Sequence, residues 1–331
     1  MAAVGFQGGV ALSRFVSWDE AQRPVVMTDH DQQPLVDVDF ASACFLSQAR
    51  DGWRATLAEG AVLNLSRAEC ASPRIACSGR SALIACANGS AFRWVEGQRR
   101  TEAAPVDVPS GLVPTSASFS GDRYWVSYRE TTPVHAGGRL ITFGKDSGGA
   151  RVASLPALNV GFGLFISTSS REGGPIALQM PVAGKRSGAR LLQLTSTSSS
   201  ELALPAALAE PDFLAAFDVE RTGAVWSIID SFSQPTRLCV LPAAADPRPS
   251  SWACSVLRVA ATAGETRTAV TALHVAGTEA WVGTAMAGVS HARRAPGDDA
   301  AQFIVDSHLP LGRTDWESFE RADWAPRVAL P

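Results

Sequence analysis

The sequence predicts an all-β fold built from repeated small sheets, on three observations. Apolar and polar residues alternate over short runs, helical periodicity is almost absent, and one short pattern returns along the chain. In that pattern a bulky apolar or aromatic residue is followed, usually after a second apolar one, by a small residue. It recurs as Phe15-Val16-Ser17, Phe45-Leu46-Ser47, Leu83-Ile84-Ala85, Trp125-Val126-Ser127, Phe165-Ile166-Ser167, Val225-Trp226-Ser227 and Trp281-Val282-Gly283.

A glycine stands four residues ahead of the bulky position at Gly79, Gly121, Gly161 and Gly277. Before Gly121, Ala117 and Phe119 alternate with Ser116, Ser118 and Ser120, as the two faces of a half-buried strand do. The unit is therefore strand, tight glycine turn, aromatic strand. Further strand-like runs follow it, for example residues 138–143, 236–241 and 251–257. Four short strands in a period of roughly 40 to 50 residues are what one blade of a β-propeller requires. A single twisted sheet of four strands cannot bury both apolar faces, so blades must pack face to face, and closing them into a ring removes exposed ends. The large residue of each unit would fill the space between blades, and the small one would allow close approach.

These elements predict a single all-β propeller domain over residues 1–331, with seven blades of four antiparallel strands. The spacing from Phe15 to Phe45 is short for four strands, which keeps six blades with an irregular N-terminal portion as the alternative. Residues 311–331 form a closing or docking segment. In it Thr314 and Glu317 make a capping box, Trp316, Phe319 and Trp324 share one helical side, and Pro326 ends the run, predicting one short C-terminal helix. The three aromatics are core if that helix packs on its own fold, and an anchor for a protein partner if it projects.

Residues 269–290 carry apolar alternation, then Gly277, then Trp281-Val282-Gly283-Thr284, then a second glycine at Gly288. This stretch resembles the repeat of the regulator-type propellers of sensor proteins, and the resemblance implies a propeller without implying an activity. The Gly-His and Trp-Asp hallmarks of WD40 repeats are missing, since the one Trp-Asp of that kind, Trp18-Asp19, stands alone.

Composition sets bounds on function. The chain has 331 residues, 46% hydrophobic and 18% charged, with a formal net charge of −3. That is a globular composition, and it argues against disorder and against nucleic-acid binding by bulk charge. The N-terminus has no basic region followed by an apolar run, so the expectation is an intracellular, cytoplasmic protein. A secreted or periplasmic one is the alternative if Met1 is not the native start. Residues 152–170 are uncharged, but Pro156, Asn159, Gly161 and Gly163 interrupt them, and no membrane insertion is expected. Four of the six cysteines, Cys77, Cys86, Cys239 and Cys254, lie in apolar strand-like runs, which favours free buried thiols. Cys239 and Cys254, on either side of a Pro-rich turn, are the bridge expected otherwise.

Candidate chemistry is sparse. Asp29 and Asp31 end one strand while Asp37 and Asp39 alternate along the next, so the four carboxylates could face one side of a hairpin and hold a hard cation. A charged outer strand that discourages edge pairing is the competing reading. His274, in an alternating apolar strand, reads as a packed, hydrogen-bonded core histidine, and His135 and His291, near loop glycines, as surface residues. No recognised nucleophile, zinc or phosphate-loop motif is present, and no cofactor is expected. The expectation is a non-enzymatic protein–protein interaction scaffold, one subunit of a larger intracellular assembly. An exported sensor or glycan-binding propeller, with a small-molecule or glycan ligand, is the alternative. A lyase or hydrolase centred in the channel is a third reading.

Overall fold

The computed structural model describes residues 2–4, 14–18, 24–29, 35–39, 44–57, 61–95, 97–102, 111–131, 138–145, 151–152, 164–171, 174–179, 189–195, 198–208, 213–220, 222–230, 235–246, 248–258, 270–284, 288–297, 301–309 and 317–318. The chain divides into two compact units, Met1–Glu201 and Leu202–Pro331.

In the first unit the described strands form five antiparallel sheets in chain order. Sheet 1 holds β1 (Ala2–Val4), β2 (Arg14–Trp18) and β3 (Pro24–Asp29); sheet 2 holds β4 (Leu35–Asp39), β5 (Cys44–Ala49), β6 (Gly52–Thr56) and β7 (Val62–Ser66). Sheet 3 holds β8 (Arg74–Ser78), β9 (Ser81–Ala85), β10 (Ala91–Val95) and β11 (Gln98–Glu102). Sheet 4 holds β12 (Leu112–Ser120), β13 (Arg123–Glu130), β14 (Gly138–Gly144) and β15 (Arg151–Val152). Sheet 5 holds β16 (Leu164–Arg171), β17 (Gly174–Gln179), β18 (Arg190–Leu194) and β19 (Ser199–Leu202). In the second unit, sheet 6 holds β20 (Phe213–Val219), β21 (Val225–Asp230), β22 (Arg237–Leu241) and β23 (Ala253–Val256). Sheet 7 holds β24 (Val270–Ala276), β25 (Glu279–Thr284), β26 (Gly288–Arg294), β27 (Phe303–Leu309) and β28 (Glu317–Ser318). Every sheet is a meander, each strand pairing with its sequence neighbour.

The expected hairpin chemistry is present. β8–β9, β12–β13 and β24–β25 each turn over two residues, of which the first is Gly79, Gly121 or Gly277 with φ of +57°, +65° and +61°. A positive φ at the first central residue alone is the type II′ turn, whose twist matches the flanking strands and which admits glycine without strain. Gly161 lies outside the described residues.

The recurring pattern falls on the second strand of its sheet in six of its seven occurrences. The exception is Phe165-Ile166-Ser167, which lies in β16, a first strand, so that occurrence is corrected: any half-buried strand can match so short a pattern. The first strands carry a second regularity. A one-residue bulge interrupts β4 between Leu35 and Asp37, β12 between Pro114 and Ser116, β20 between Leu214 and Ala216, and β24 between Val270 and Ala272. In three of them the small residue of the pattern, Ser47, Ser127 or Gly283, pairs beside the bulge. A Cβ on Gly283 would sit 3.1 Å from that of Ala272, which explains why the smallest residue stands there.

Apolar cores lie between consecutive sheets within each unit. Leu46, Leu65, Ile75 and Ile84 fill the space between sheets 2 and 3, and Leu83, Tyr124, Val126 and Phe143 that between sheets 3 and 4. Trp226, Leu238, Val282 and Phe303 fill the space between sheets 6 and 7. Trp226, 1% exposed, meets Phe303 edge-on at 5.5 Å between ring centroids, under the Arg294 guanidinium. In these cores the residue of the recurring pattern that fills the space between sheets is mainly the second one, Leu46, Ile84, Val126, Trp226 and Val282, with Leu83 the bulky first residue among them, at roughly 1.5–3 kcal/mol for each fully buried side chain.

Two expectations fail. The cysteines are bridged, as Cys44–Cys77, Cys70–Cys86 and Cys239–Cys254, with none free. All but the half-buried Cys254 are buried, but burial suits a disulfide as well as a thiol. Cys239 and Cys254 face each other directly across β22 and β23, while Cys44 on β5 meets Cys77 on β8 in the next sheet at a Cα separation of 6.5 Å. The C-terminal helix is not met at the two residues of it that are described: Glu317 and Ser318 pair as a strand with His308 and Ser307. The local capping signal is overridden there by a free sheet edge. Trp316, Phe319 and Trp324 lie outside the described residues.

Candidate functional site

The polar chemistry of the second unit gathers across sheet 7. His274 on β24 pairs directly with Trp281 on β25, which pairs with His291 on β26, which pairs with Ser307 on β27. Directly opposed residues share a face, so the four form one row. The Trp281 ring stacks on His274 at 5.5 Å and lies tilted against His291 at 5.3 Å. A bulge in β27 inserts Asp306 between the pairs His291–Ser307 and Ala292–Val305. That extra residue brings its carboxylate into the row, a common use of bulges.

Carboxylates close the row at both ends. Asp306 Oδ1 lies 2.8 Å from His291 Nδ1, Arg293 Nε lies 2.8 Å from Asp306 Oδ2, and the Ser307 hydroxyl donates to Oδ1 at 3.1 Å. Glu279 Oε1 stands 3.9 Å from His291 Nε2, so this imidazole, 1% exposed, sits between two carboxylates. Burial pushes the Asp306 carboxyl up, but the His291 hydrogen bond and charge, the Arg293 guanidinium and the Ser307 hydroxyl outweigh it and hold the group below the ordinary aspartate value. At the other end Asp218 Oδ2 lies 3.1 Å from His274 Nδ1.

Asp218 belongs to sheet 6, and its same oxygen accepts the Val275 N–H of sheet 7 at 2.9 Å. Two residues on, Glu220 accepts the Gly277 N–H at 3.2 Å with one oxygen and the Trp226 indole N–H at 3.3 Å with the other. Asp230, 2% exposed, accepts the Thr236 hydroxyl at 3.1 Å and the Val270 N–H at 3.5 Å. In the first unit Asp37 does what Asp218 does: from β4 it accepts the Ile75 N–H of the next sheet at 2.8 Å. Asp37 pairs with Leu46, and Asp218 with Trp226, each the middle residue of the recurring pattern. The shared task is to fasten one first strand to the next.

This placement bears on each predicted site residue. β3 and β4 belong to different sheets, so Asp29, at the end of β3, and Asp37 and Asp39, on β4, do not share a hairpin, and that expectation is corrected. Asp31 lies outside the described residues. Among the described residues no group of three or more His, Cys, Asp or Glu is arranged to hold a metal ion. His274 is hydrogen-bonded as expected, but half-buried rather than a core residue. His291 is not a surface residue but a buried one in the middle strand of its sheet, because the glycine near it, Gly288, opens β26 rather than a loop tip. His135 lies outside the described residues. Asp218, Glu220, Glu279, Arg293 and Asp306 were not singled out by sequence reasoning. The signal for the first two was available, since Asp218-x-Glu220 repeats the acidic alternation of Asp37-x-Asp39 at the same place in the unit.

The sequence matches no family model and no curated protein. Solved structures match it by fold. YCF48 bound to D1 peptide superposes with a TM-score of 0.51 at 10% identity, over 84% of this chain and 86% of that one. YCF48 from Cyanidioschyzon merolae gives 0.50 at 13% identity, over 83% and 88%. The extracellular domain of the one-component system BT4673 from B. thetaiotaomicron gives 0.52 at 11% identity, over 89% of this chain and 40% of that one. All three are β-propeller proteins. This chain has the β-propeller fold. At such identities the likeness extends to the fold alone, and what the propeller does has to be argued from its own residues.

Proposed function

We propose that this propeller is a non-enzymatic binding protein that recognises other proteins and works in an oxidising compartment, as an exported rather than a cytoplasmic scaffold. The observation that carries the reading is the cysteine chemistry: all six form bridges, of which Cys44–Cys77 ties sheet 2 to sheet 3 and Cys70–Cys86 fastens the connection between them to the end of β9. Disulfides persist outside the reducing cytosol, where glutathione and thioredoxin keep thiols reduced. This favours the alternative compartment over the intracellular one expected from the N-terminus. Among the described residues no helix is long and apolar enough to cross a membrane.

Recognition rather than catalysis is supported by how the polar side chains are engaged. The carboxylates of Asp37, Asp218, Glu220 and Asp230 accept backbone N–H groups or an indole within the fold, which is structural work. One matched propeller, YCF48, is a peptide binder by its description, and BT4673 contributes an extracellular domain; both are consistent with a rigid exported platform. Thiol titration of protein from its source cell, denatured without reductant, is the test. No titratable thiol is expected, and a full set of six would overturn the oxidising-compartment reading.

A further inference from the structure

Sheet 7 shows that an outer edge of this propeller can take another strand: β28 adds to β27 as a fifth one. Main-chain groups on an outer strand are a template for such addition unless the edge is blunted. The outer strands of the other sheets differ in what they offer. β15 has two residues, and on β19 Glu201 is held by Arg190 at 2.7 Å. β23 has four residues, is bridged through Cys254, and hydrogen-bonds through Ser255 to Ala301. β7 has five residues but turns the uncharged Val62, Asn64 and Ser66 outward. β11 also has five, Gln98-Arg99-Arg100-Thr101-Glu102, and Gln98 to Thr101 are all exposed. Among the described residues no strand lies beyond it.

β11 is basic on both faces. Arg99 pairs with Trp94 and so shares the face toward sheet 2, whereas Arg100 pairs with Arg93 and takes the opposite face. The Arg99 guanidinium is preorganised. It lies 4.2 Å from the centroid of Phe92 and 2.6 Å from Glu69, whose carboxyl is held down to about 2 by the Ser66 N–H first, then by Arg99 and the Ser66 hydroxyl. Arg67 stands nearby over the Trp53 ring at 5.8 Å. Residues 35–102, which span sheets 2 and 3, contain eight arginines and seven acidic residues, in a chain whose net charge is −3.

We propose that β11 is a docking edge for an extended acidic peptide segment of a partner protein, which adds as a fifth strand to sheet 3. The proposal rests on the reading of this chain as a protein-binding propeller and names the chemistry of the partner. Charge selects the occupant: two copies of β11 placed edge to edge would set arginine against arginine, and a neutral strand would desolvate the guanidinium groups without return. An acidic strand with apolar residues at alternate positions lays its carboxylates along the face of Arg100 and its apolar side chains along the opposite face, where Arg99 is already held by Glu69 over Phe92, while its backbone completes the ladder. The bridge between sheets 2 and 3 and the one from their connection to the end of β9 hold sheet 3 in place before binding, so little ordering is left for the complex to supply.

The test uses the full-length, disulfide-intact protein and a fluorescein-labelled peptide of alternating glutamate and valine, followed by fluorescence anisotropy at low salt. Three comparisons are run: the same peptide N-methylated at alternate amides, its glutamine counterpart, and the Arg100→Glu protein. Saturable binding is expected, lost on N-methylation, weakened by added salt, and weakened about tenfold or more by either charge change. Absence of binding, or equal binding of the N-methylated peptide, would overturn strand addition, and the second comparison holds even if Arg100→Glu folds poorly. Full binding by an Arg100→Glu protein with an unchanged melting curve would overturn the assignment to β11. A native partner retained by that variant would remove the β11 proposal and leave the protein-binding reading standing. Six free thiols in the native protein would strike the compartment reading and the preorganisation of the edge, and peptide binding to β11 would still be read by the same comparisons.

Discussion

Replacing Cys44 and Cys77 together by alanine tests how the first unit is held. The bridge closes 33 residues and joins β5 to β8 across two sheets. A crosslink removes unfolded-state entropy that grows with the logarithm of the loop it closes, which for this loop is about 3.7 kcal/mol. The bridges Cys70–Cys86 and Cys239–Cys254 close 16 and 15 residues and by the same relation stabilise by about 3 kcal/mol each. The rank order is therefore expected to follow loop length, with the Cys44/Cys77 variant losing most. Residues 70–77 belong to both of the first two loops, so each bridge restrains part of the other's loop and removing both should cost slightly more than the sum of the single removals. Equilibrium urea unfolding without reductant, followed by tryptophan fluorescence and circular dichroism, reads these losses. Alanine is chosen because Cys44 and Cys77 are buried and serine would bury a hydroxyl. An unchanged urea midpoint for the Cys44/Cys77 variant, with an unchanged slope, would refute the reasoning, since it would mean that the sheets are held as firmly without the crosslink.

Asp218→Ala removes the acceptor of the buried Val275 N–H and should destabilise by about 1–3 kcal/mol, with Asp218→Asn costing less, both read by chemical denaturation. The Tyr128 hydroxyl is buried without a hydrogen-bond partner, and burial pushes its pKa up, so Tyr128→Phe should leave the melting temperature unchanged or raise it. Asp306 has a folded pKa below the ordinary 3.8. Its stabilisation is therefore complete above that value and lost as pH falls through the lower folded one. The pH-dependence of the melting temperature below pH 4 should accordingly flatten in Asp306→Asn, and a parallel shift at all pH values would contradict the pairing with His291.

What the sequence made legible is what depends on neighbours along the chain. Gly79, Gly121 and Gly277 announce hairpins because a two-residue turn needs a positive φ, and the alternation before Gly121 announces the strand because side-chain direction has a period of two. The pairing of Cys44 with Cys77 was hidden because it depends on how one sheet stands against the next. Asp37 was noticed for its charge and assigned to a hairpin that does not exist, since nothing local says that β3 and β4 part into separate sheets. His291 was misplaced for the same reason: the bulge that turns Asp306 toward it is a property of the β26–β27 register. At Glu317 a sound local signal for a helix lost to strand pairing, so local preference there was outweighed by tertiary context.

The carboxylates that reach from one first strand to the next grip a peptide N–H rather than a side chain. Every residue except proline offers that group. A mutation in the receiving strand therefore leaves the grip intact so long as the backbone path is kept, and drift in one unit demands no matching change in its neighbour. This freedom lets consecutive sheets unlike in sequence stack by a common rule, and it makes Asp37 and Asp218 the places where substitution should be least forgiven.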